Sequence, residues 1–274
     1  MLGHVVFRYV ARCPGFDVHA TVRTSLGARA LPEELRPAVH PGVDAADFDS
    51  VLRVLADVRP DVVINCVGLI KQAATANDPL VAIPLNSVFP HRLQRSCEAA
   101  GTRLVHISTD CVFSGRTGGY RESDASDAYD LYGRSKYLGE VDAPNAVTLR
   151  TSIVGPEAVP GHGLLGWFLR TSGTVRGYTR AVFSGLPTIE LSKVIVDRVL
   201  PNPELRGVYH VASDPIAKFD LISLFAKAYG HEVEIIPDDS VEVDRSLDGT
   251  QFRAATGYEA PAWPALVRGM RDFG

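Results

Sequence analysis

The sequence has little cysteine. Cys13, Cys66, Cys97 and Cys111 show no Cys-x-x-Cys spacing and sit among apolar neighbours. That speaks against a disulfide framework or a cysteine-built zinc site and suits reduced thiols in a cytoplasmic protein. Nor is there an excess of positive charge. With 28 basic and 32 acidic residues the formal net charge is −4, so nothing is spare to neutralise a phosphate backbone and nucleic acid is not the expected partner. Lysine is scarce: Lys71, Lys136, Lys193, Lys218 and Lys227 are the only ones, and arginine supplies the rest of the positive charge. Long apolar runs are missing too. The longest uncharged stretch, Pro79 to His91, is too short and too rich in proline to cross a bilayer, so no membrane association is expected. The first residues carry no basic segment ahead of an apolar one, and Arg8 interrupts their apolar stretch, which is not the pattern of a secretory signal.

What is present has globular proportions: 274 residues, 46% apolar and 22% charged, enough for one large α/β domain or two joined ones. Short β-branched runs at Asp17 to Arg23, Asp61 to Val67, Arg103 to Thr109 and Ala146 to Ile153 read as buried strands. Between them, Phe48 to Val58, Asp78 to Ala100 and Tyr129 to Asp142 carry apolar residues at three- and four-residue steps, the period of helices. Gly101 is a helix stop for the middle one. Strand and helix in alternation predict right-handed βαβ units around a doubly wound parallel sheet. After Gly155 the chain turns to glycine- and proline-punctuated loops, with Thr188 to Leu200 and Phe219 to Tyr229 as helices and Gly207 to Ala212 as a strand. The expected division is a Rossmann-like dinucleotide-binding domain over residues 1–153 and a smaller substrate lobe over 154–274, with contributions interleaved between the halves.

Three local patterns carry chemistry. Tyr132 and Lys136 are four residues apart in a helical stretch, which places both side chains on one face. An ammonium beside a phenol lowers its pKa and makes the hydroxyl usable as an acid or base. Leu104 to Thr109 reads as a strand that delivers Ser108 and Thr109, followed by Asp110, to the end where open α/β sheets bind ligands. A hydroxyl there can hold a substrate carbonyl oxygen; it can equally cap the next turn. Ile64-Asn65-Cys66-Val67-Gly68 ends the preceding strand on a glycine that lets a flat group lie against the backbone, or simply turns the chain.

Taken together, Ser108-Thr109-Asp110-Cys111-Val112-Phe113-Ser114-Gly115, Tyr132-Gly133-Arg134-Ser135-Lys136, Gly139-Glu140 and Leu149-Arg150-Thr151-Ser152 resemble the extended short-chain dehydrogenase/reductases, in the branch typified by dTDP-4-dehydrorhamnose reductase. The similarity spans nearly the whole chain. It implies that Tyr132 protonates the sugar C4 oxygen, that Lys136 tunes it and holds the nicotinamide ribose, and that Thr109 orients the carbonyl. It also implies that Asn65, Val67, Gly68 and Ser108 line the cofactor. Asp44 matches an acid near the adenine, a role Asp47 or Asp49 could also fill, and Asn86 matches the family's helix asparagine on the substrate side.

The resemblance implies reduction of a nucleotide-linked 4-keto-6-deoxy sugar for surface polysaccharide or glycoconjugate synthesis, and it allows a homodimer. An epimerase or dehydratase stays open, because Asp110 stands beside the strand-end hydroxyl. A non-catalytic NADP-binding role also stays open, as in the relative that regulates methionine adenosyltransferase. Cofactor choice is read from the second strand, which ends on Arg23 rather than an acid, so NADP(H) is favoured over NAD(H). Cys111 and Ile153 depart from the branch's usual tyrosine and tryptophan beside the sugar, and Arg150, Phe183, Arg245 and Asp248 are further substrate-side candidates. Trp167, Phe168 and Trp263 read as core. His162, between Gly161 and Gly163, has no second ligand at metal spacing, so no metal is expected. The family opens with a strand and three glycines, whereas this sequence opens at Met1-Leu2-Gly3 and goes straight into an apparent helix from Val5 to Cys13. Gly3 stands for the third glycine. A central strand is then absent, which leaves two readings: a start misassigned by about ten or more residues, the expectation because the downstream motifs are intact, or a genuine truncation with impaired cofactor binding.

Overall fold

The computed structural model describes residues 1–158 and 163–274. The first half runs α1 (Leu2–Val10), β1 (Ala20–Val22), α2 (Ser25–Arg29), β2 (Val39–Pro41), α3 (Phe48–Val58), β3 (Val62–Asn65), α4 (Pro79–Ala82), α5 (Phe89–Ala99), β4 (Arg103–Thr109), α6 (Leu131–Leu138) and β5 (Ala146–Thr151). The second half continues with β6 (Ile153–Val154), α7 (Leu164–Arg170), β7 (Thr174–Phe183), β8 (Leu186–Pro187), α8 (Thr188–Val194), β9 (Gly207–His210), β10 (Ile216–Ala217), α9 (Lys218–Tyr229), β11 (Glu234–Asp244), α10 (Thr250–Thr256) and α11 (Trp263–Phe273). None of the helices is long and apolar enough to cross a membrane, among the described residues.

The central sheet is parallel, in the order β3-β4-β5-β9. Its last strand comes from beyond residue 153, so the sheet draws on both halves of the chain. Alternate residues of its strands serve two cores: Val105, Val147 and Leu149 join the large cluster with α1, α8 and α11, while Leu104 and Ala146 meet Phe48, Phe89 and Leu93 of α3 and α5. Burial on both faces is what makes these strands near-continuous apolar runs.

A second parallel pair, β1-β2, forms its own sheet, and no ladder among the described residues joins it to the four-stranded one. Helix α1 spans both. Phe7 packs with Leu31 and Val39 beside Ala20 and Val22, while Leu2, Val5, Val6 and Val10 enter the large core.

The helix expected from Asp78 to Ala100 is continuous but not uniform. Its middle, residues 83–88, widens into π-helical turns between α4 and α5. Pro84 and Pro90 cannot donate the ordinary backbone bonds, and the widened turn contains Asn86. Beyond residue 154 the sequence reading missed the most extended elements. Strand β7 pairs with β10 on one side and with β11 on the other, in a three-stranded sheet covered by α9. Trp263 and Phe168 are core, as expected, but Trp167 is 42% exposed, because α7 turns only its Leu165 and Phe168 face inward. His162 lies outside the described residues.

Candidate active site

Strand β4 ends on Thr109, whose side chain caps the short turn that follows. Its Oγ1 accepts from the Cys111 amide at 3.2 Å and donates to Asp110 Oδ1 at 3.1 Å. Helix α6 starts against that turn. Asp130 caps it by accepting from the Gly133 amide at 2.7 Å, and a side chain on Gly133 would collide with the Cys111 carbonyl. At the other end, one on Gly139 would collide with the Asn86 carbonyl. The two glycines therefore seat α6 between the end of β4 and the π-helical turn, with Tyr132 beside Thr109 and Lys136 beneath.

Burial, reinforced by the charges of Cys111, Asp110 and Asp130, holds the Tyr132 phenol above its ordinary pKa, and the Thr109 hydroxyl offsets this only in part. The lowering expected from Lys136 is not found. The Lys136 ammonium donates instead to the Ile107 carbonyl at 2.9 Å. Burial brings the Lys136 pKa down to about 8, opposed by Glu140 and Cys66. Burial likewise raises the Asp110 carboxyl, against the pull of Arg245 and of bonds from Thr109, Cys111 and Ser152.

On the other side of Lys136 the backbone is open. A side chain on Gly68 would stand 3.4 Å from Asn86 Oδ1 and 3.7 Å from Lys136 Nζ, so its absence leaves a shelf beside the ammonium, bordered by exposed Val67 and Ile70. Asn65 props the shelf: its Oδ1 accepts from the Val67 amide at 3.0 Å and its amide donates to His106 Nδ1 at 3.1 Å. Asn86 holds the next residue, accepting from the Leu69 amide at 2.8 Å and donating to Ser135 Oγ at 3.1 Å. It is buried and reaches the site through these contacts.

Other expected residues sit elsewhere. Arg150 is buried in a bidentate pair with Glu140, at 2.8 and 2.7 Å. It also donates to His210 Nε2 at 3.2 Å, while His210 Nδ1 donates to the Tyr120 carbonyl at 3.0 Å. Ser108 turns the same way and donates to Glu140 Oε1 at 2.7 Å. Sequence reading left Glu140 without a role, although its four-residue step from Lys136 was visible. Phe183 is buried against Trp263, Ile153 lies in β6, and Asp248 pairs with exposed Arg121 at 3.3 Å. Arg23 is exposed just past β1. Asp44 caps the backbone ahead of α3, accepting from the Ala46 amide at 2.9 Å. Gly3 lies in α1 with Cys66 3.5 Å from where its side chain would be, an ordinary packing distance. All four cysteines are free thiols.

The family model described as RmlD substrate binding domain matches residues 12–268. Among curated proteins, the chain is 36% identical over 215 residues to the probable low-salt glycan biosynthesis reductase Agl14 of Haloferax volcanii, covering 75% of this chain and 69% of that one. It is 29% identical over 196 residues to the methionine adenosyltransferase 2 subunit beta of Danio rerio, covering 67% of this chain and 60% of that one. Its fold matches the dTDP-4-dehydrorhamnose reductase of Bacillus anthracis in complex with NADP at a TM-score of 0.75, with 18% identity and coverage of 93% and 98%. It also matches the Bordetella bronchiseptica enzyme WbmG in complex with NAD at 0.76, with 16% identity and coverage of 100% and 90%.

Proposed function

Because the chain belongs to the RmlD substrate binding domain family, we propose that it is a nicotinamide-dependent reductase of a nucleotide-linked keto sugar. The observation that carries this reading is the meeting of Thr109, Tyr132 and Lys136 at the end of β4, next to the shelf at Gly68. The shelf fits a flat ring: it is bare of side chain at Gly68, apolar at Val67 and Ile70, and flanked by the Lys136 ammonium. A bound nicotinamide cofactor supplies the hydride, and the protein supplies position and protons.

In this reading Thr109 Oγ1 leaves Asp110 to donate to the substrate carbonyl, which fixes the oxygen and stabilises the charge it gains. Tyr132 gives its phenolic proton to that oxygen. A phenol held above its ordinary pKa is fully protonated at neutral pH, the form a proton donor must have. Lys136 carries the charge that stabilises the phenolate once the proton has left. Asn65 and Asn86 keep the shelf in place. Gly3, Asp44 and Ser108 remain candidates for the cofactor side. NADPH is the favoured cofactor because the exposed end of β1 offers Arg23 to a 2′-phosphate.

The test is NADPH consumption with a panel of nucleotide-linked 4-keto sugars, followed by Tyr132→Phe on any substrate turned over. Consumption abolished in that variant supports the reading. Tight NADPH binding with no turnover on any member of the panel would favour a regulatory subunit, the second reading, which the likeness to the methionine adenosyltransferase subunit keeps in view.

A further inference from the structure

Most of the described histidines are committed to the fold. His4, His91, His210 and His231 each bring a ring nitrogen to a backbone carbonyl, of Pro156, Leu138, Tyr120 and Thr171 in turn, and His106 meets the Asn65 amide. His19 and His40 differ, because their rings face each other: Nδ1 of His19 is 3.0 Å from Nε2 of His40, with ring centroids 5.2 Å apart. They are 21 residues apart in sequence, so no local ligand spacing marks them. The fold brings them together. Thr21 pairs with His40 in the parallel β1-β2 register, and His19, two residues before Thr21, projects from the same face. Ala20, Val22 and Val39 take the other face, against Phe7 and Leu31. His19 is exposed and His40 half-buried.

Two facing imidazole nitrogens share one proton, one nitrogen donating and the other accepting. Asp17 decides which. Its Oδ1 stands 3.5 Å from His19 Nε2, which keeps the His19 hydrogen on that nitrogen and leaves the Nδ1 lone pair toward His40. A carboxylate on the far nitrogen is how a metal-binding histidine is ordinarily oriented and made more basic. With His40 in its Nδ1–H form, both facing nitrogens present lone pairs to one point. Two nitrogens 3.0 Å apart, each at the usual metal–nitrogen distance of about 2.0–2.1 Å, subtend about 95° at the ion. That is the angle between adjacent positions of a square-planar or octahedral shell, and it is narrower than a tetrahedral one. A hydrogen bond between neutral rings on an exposed face contributes little and has no use for Asp17.

We propose that His19 and His40 form a two-histidine site for a divalent transition ion of tetragonal or octahedral preference, Ni²⁺ or Cu²⁺, with water filling the remaining positions and Asp17 orienting the first ligand. No group of three or more His, Cys, Asp or Glu suited to an ion occurs among the described residues, so the protein's share of the shell is these two rings, on a face open to water. Binding is a ligand exchange without change of oxidation state. Two waters leave the ion, two ring nitrogens take their places, and the His40 proton passes from Nε2 to Nδ1 through solvent. The ion bridges two strands of three residues each. It binds only when they are paired, so it stabilises that pairing. The site lies on the β1-β2 sheet, whereas Thr109 ends β4 of the four-stranded one, and it does not depend on the proposed reduction.

The experiment titrates NiCl₂, CuCl₂ and ZnCl₂ into the full chain, free of any histidine tag, by calorimetry. Wild type is compared with His19→Gln, His40→Gln and Asp17→Asn, and each protein is melted without metal. Wild type should take up one Ni²⁺ or Cu²⁺ per chain, with Zn²⁺ weaker than Ni²⁺. Binding should be lost in either histidine variant. Asp17→Asn should weaken it about tenfold and melt like wild type, because that side chain is 94% exposed. The paramagnetic resonance spectrum of the Cu²⁺ form should show coupling to two nitrogens. At a free ion concentration of about nine times Kd, amide exchange at Ala20–Val22 and Val39–His40 should slow about tenfold and recover on adding EDTA. The site is overturned if wild type binds no ion at one per chain, if binding survives both histidine substitutions, or if the copper spectrum shows thiolate ligation. Tighter Zn²⁺ than Ni²⁺ overturns the geometry, and unchanged exchange with the ion bound overturns the bridge. Should a histidine variant fail to fold, Asp17→Asn and the copper spectrum still decide: wild-type affinity in the first or no nitrogen coupling in the second refutes the site.

Discussion

Tyr132 is the side chain on which the proposed chemistry turns, and Tyr132→Phe removes one hydroxyl while keeping the ring. We expect turnover to fall by about 10²- to 10⁴-fold with melting temperature and NADPH binding preserved; a kcat equal to wild type would remove Tyr132 from the mechanism. Lys136 adds a pH signature. With its pKa near 8, the ammonium that the bound ribose would use is present below that value and lost above it. NADPH affinity should therefore decline as pH rises through about 8, and Lys136→Met should flatten the profile. His210 gives a stability signature instead. Burial, with the Arg150 charge, brings its pKa down to about 4 from 6.5. Between those values the unfolded chain binds a proton that the folded chain refuses, so the stabilisation is complete above pH 6.5 and is lost as pH falls toward 4, on the order of 3 kcal/mol. His106 shifts in the same direction, so His210→Gln should flatten part of the acid slope in denaturant midpoints, and an unchanged slope would count against this account. Thr109, Tyr132 and Lys136 were legible because a strand end and a four-residue step are local patterns. The Glu140–Arg150 pair was not, because its partners are fixed by how β4, β5 and β9 are brought together.

The elements divide by how many faces they bury. Strands β4 and β5 are buried on both, so their apolar runs mark them without ambiguity. Strand β7 buries one face only: Val175, Gly177, Ala181 and Phe183 point inward while Arg176, Tyr178 and Arg180 face outward. Its alternation was present in the sequence but was obscured by arginines and a glycine in a stretch read as loop. Strand β11 is more polar still, its acids facing the β7 arginines in pairs such as Arg180–Glu242 at 2.6 Å. No apolar pattern could have shown it. Helix α6 is defined by its glycines more than by its hydrophobic face. Gly139→Ala would push a methyl group onto the Asn86 carbonyl, where backbone rather than a flexible side chain must yield. We expect a loss of about 1–3 kcal/mol together with weaker NADPH binding, because Asn86 also holds the Leu69 amide beside the Gly68 shelf. Wild-type melting and cofactor affinity in Gly139→Ala would show that α6 is not seated this way.

At the scale of the molecule, the β1-β2 pair and the four-stranded sheet are held together, among the described residues, by side chains rather than by a ladder. The alternation of strands and helices read from the sequence foresaw parallel βαβ units, but the division between the two sheets follows from which strands find neighbours, a property of no single segment. Helix α1 is the bridge, with Phe7 committed to the β1-β2 side and Leu2, Val5, Val6 and Val10 to the large core. Truncating Phe7 should therefore act on one side only. A buried Phe→Ala change ordinarily costs about 3–5 kcal/mol, but a region joined through few packed contacts, here Phe7 on α1 and Val18 between the two clusters, can open without unfolding the rest. We expect Phe7→Ala to speed amide exchange across Ala20–Val22 and Val39–Pro41 while protection in β4 and β5 stays near the wild-type level. Leu2→Ala, on the same helix but facing the large core, should lower protection in β4 and β5 as well. On the proposed pairing of Arg23, which follows β1, with a 2′-phosphate, Phe7→Ala should also weaken NADPH binding more than NADH binding without lowering the turnover of bound cofactor. Uniform loss of protection in both variants would mean that the two sheets unfold as one, and that α1 is an ordinary part of a single core rather than its hinge.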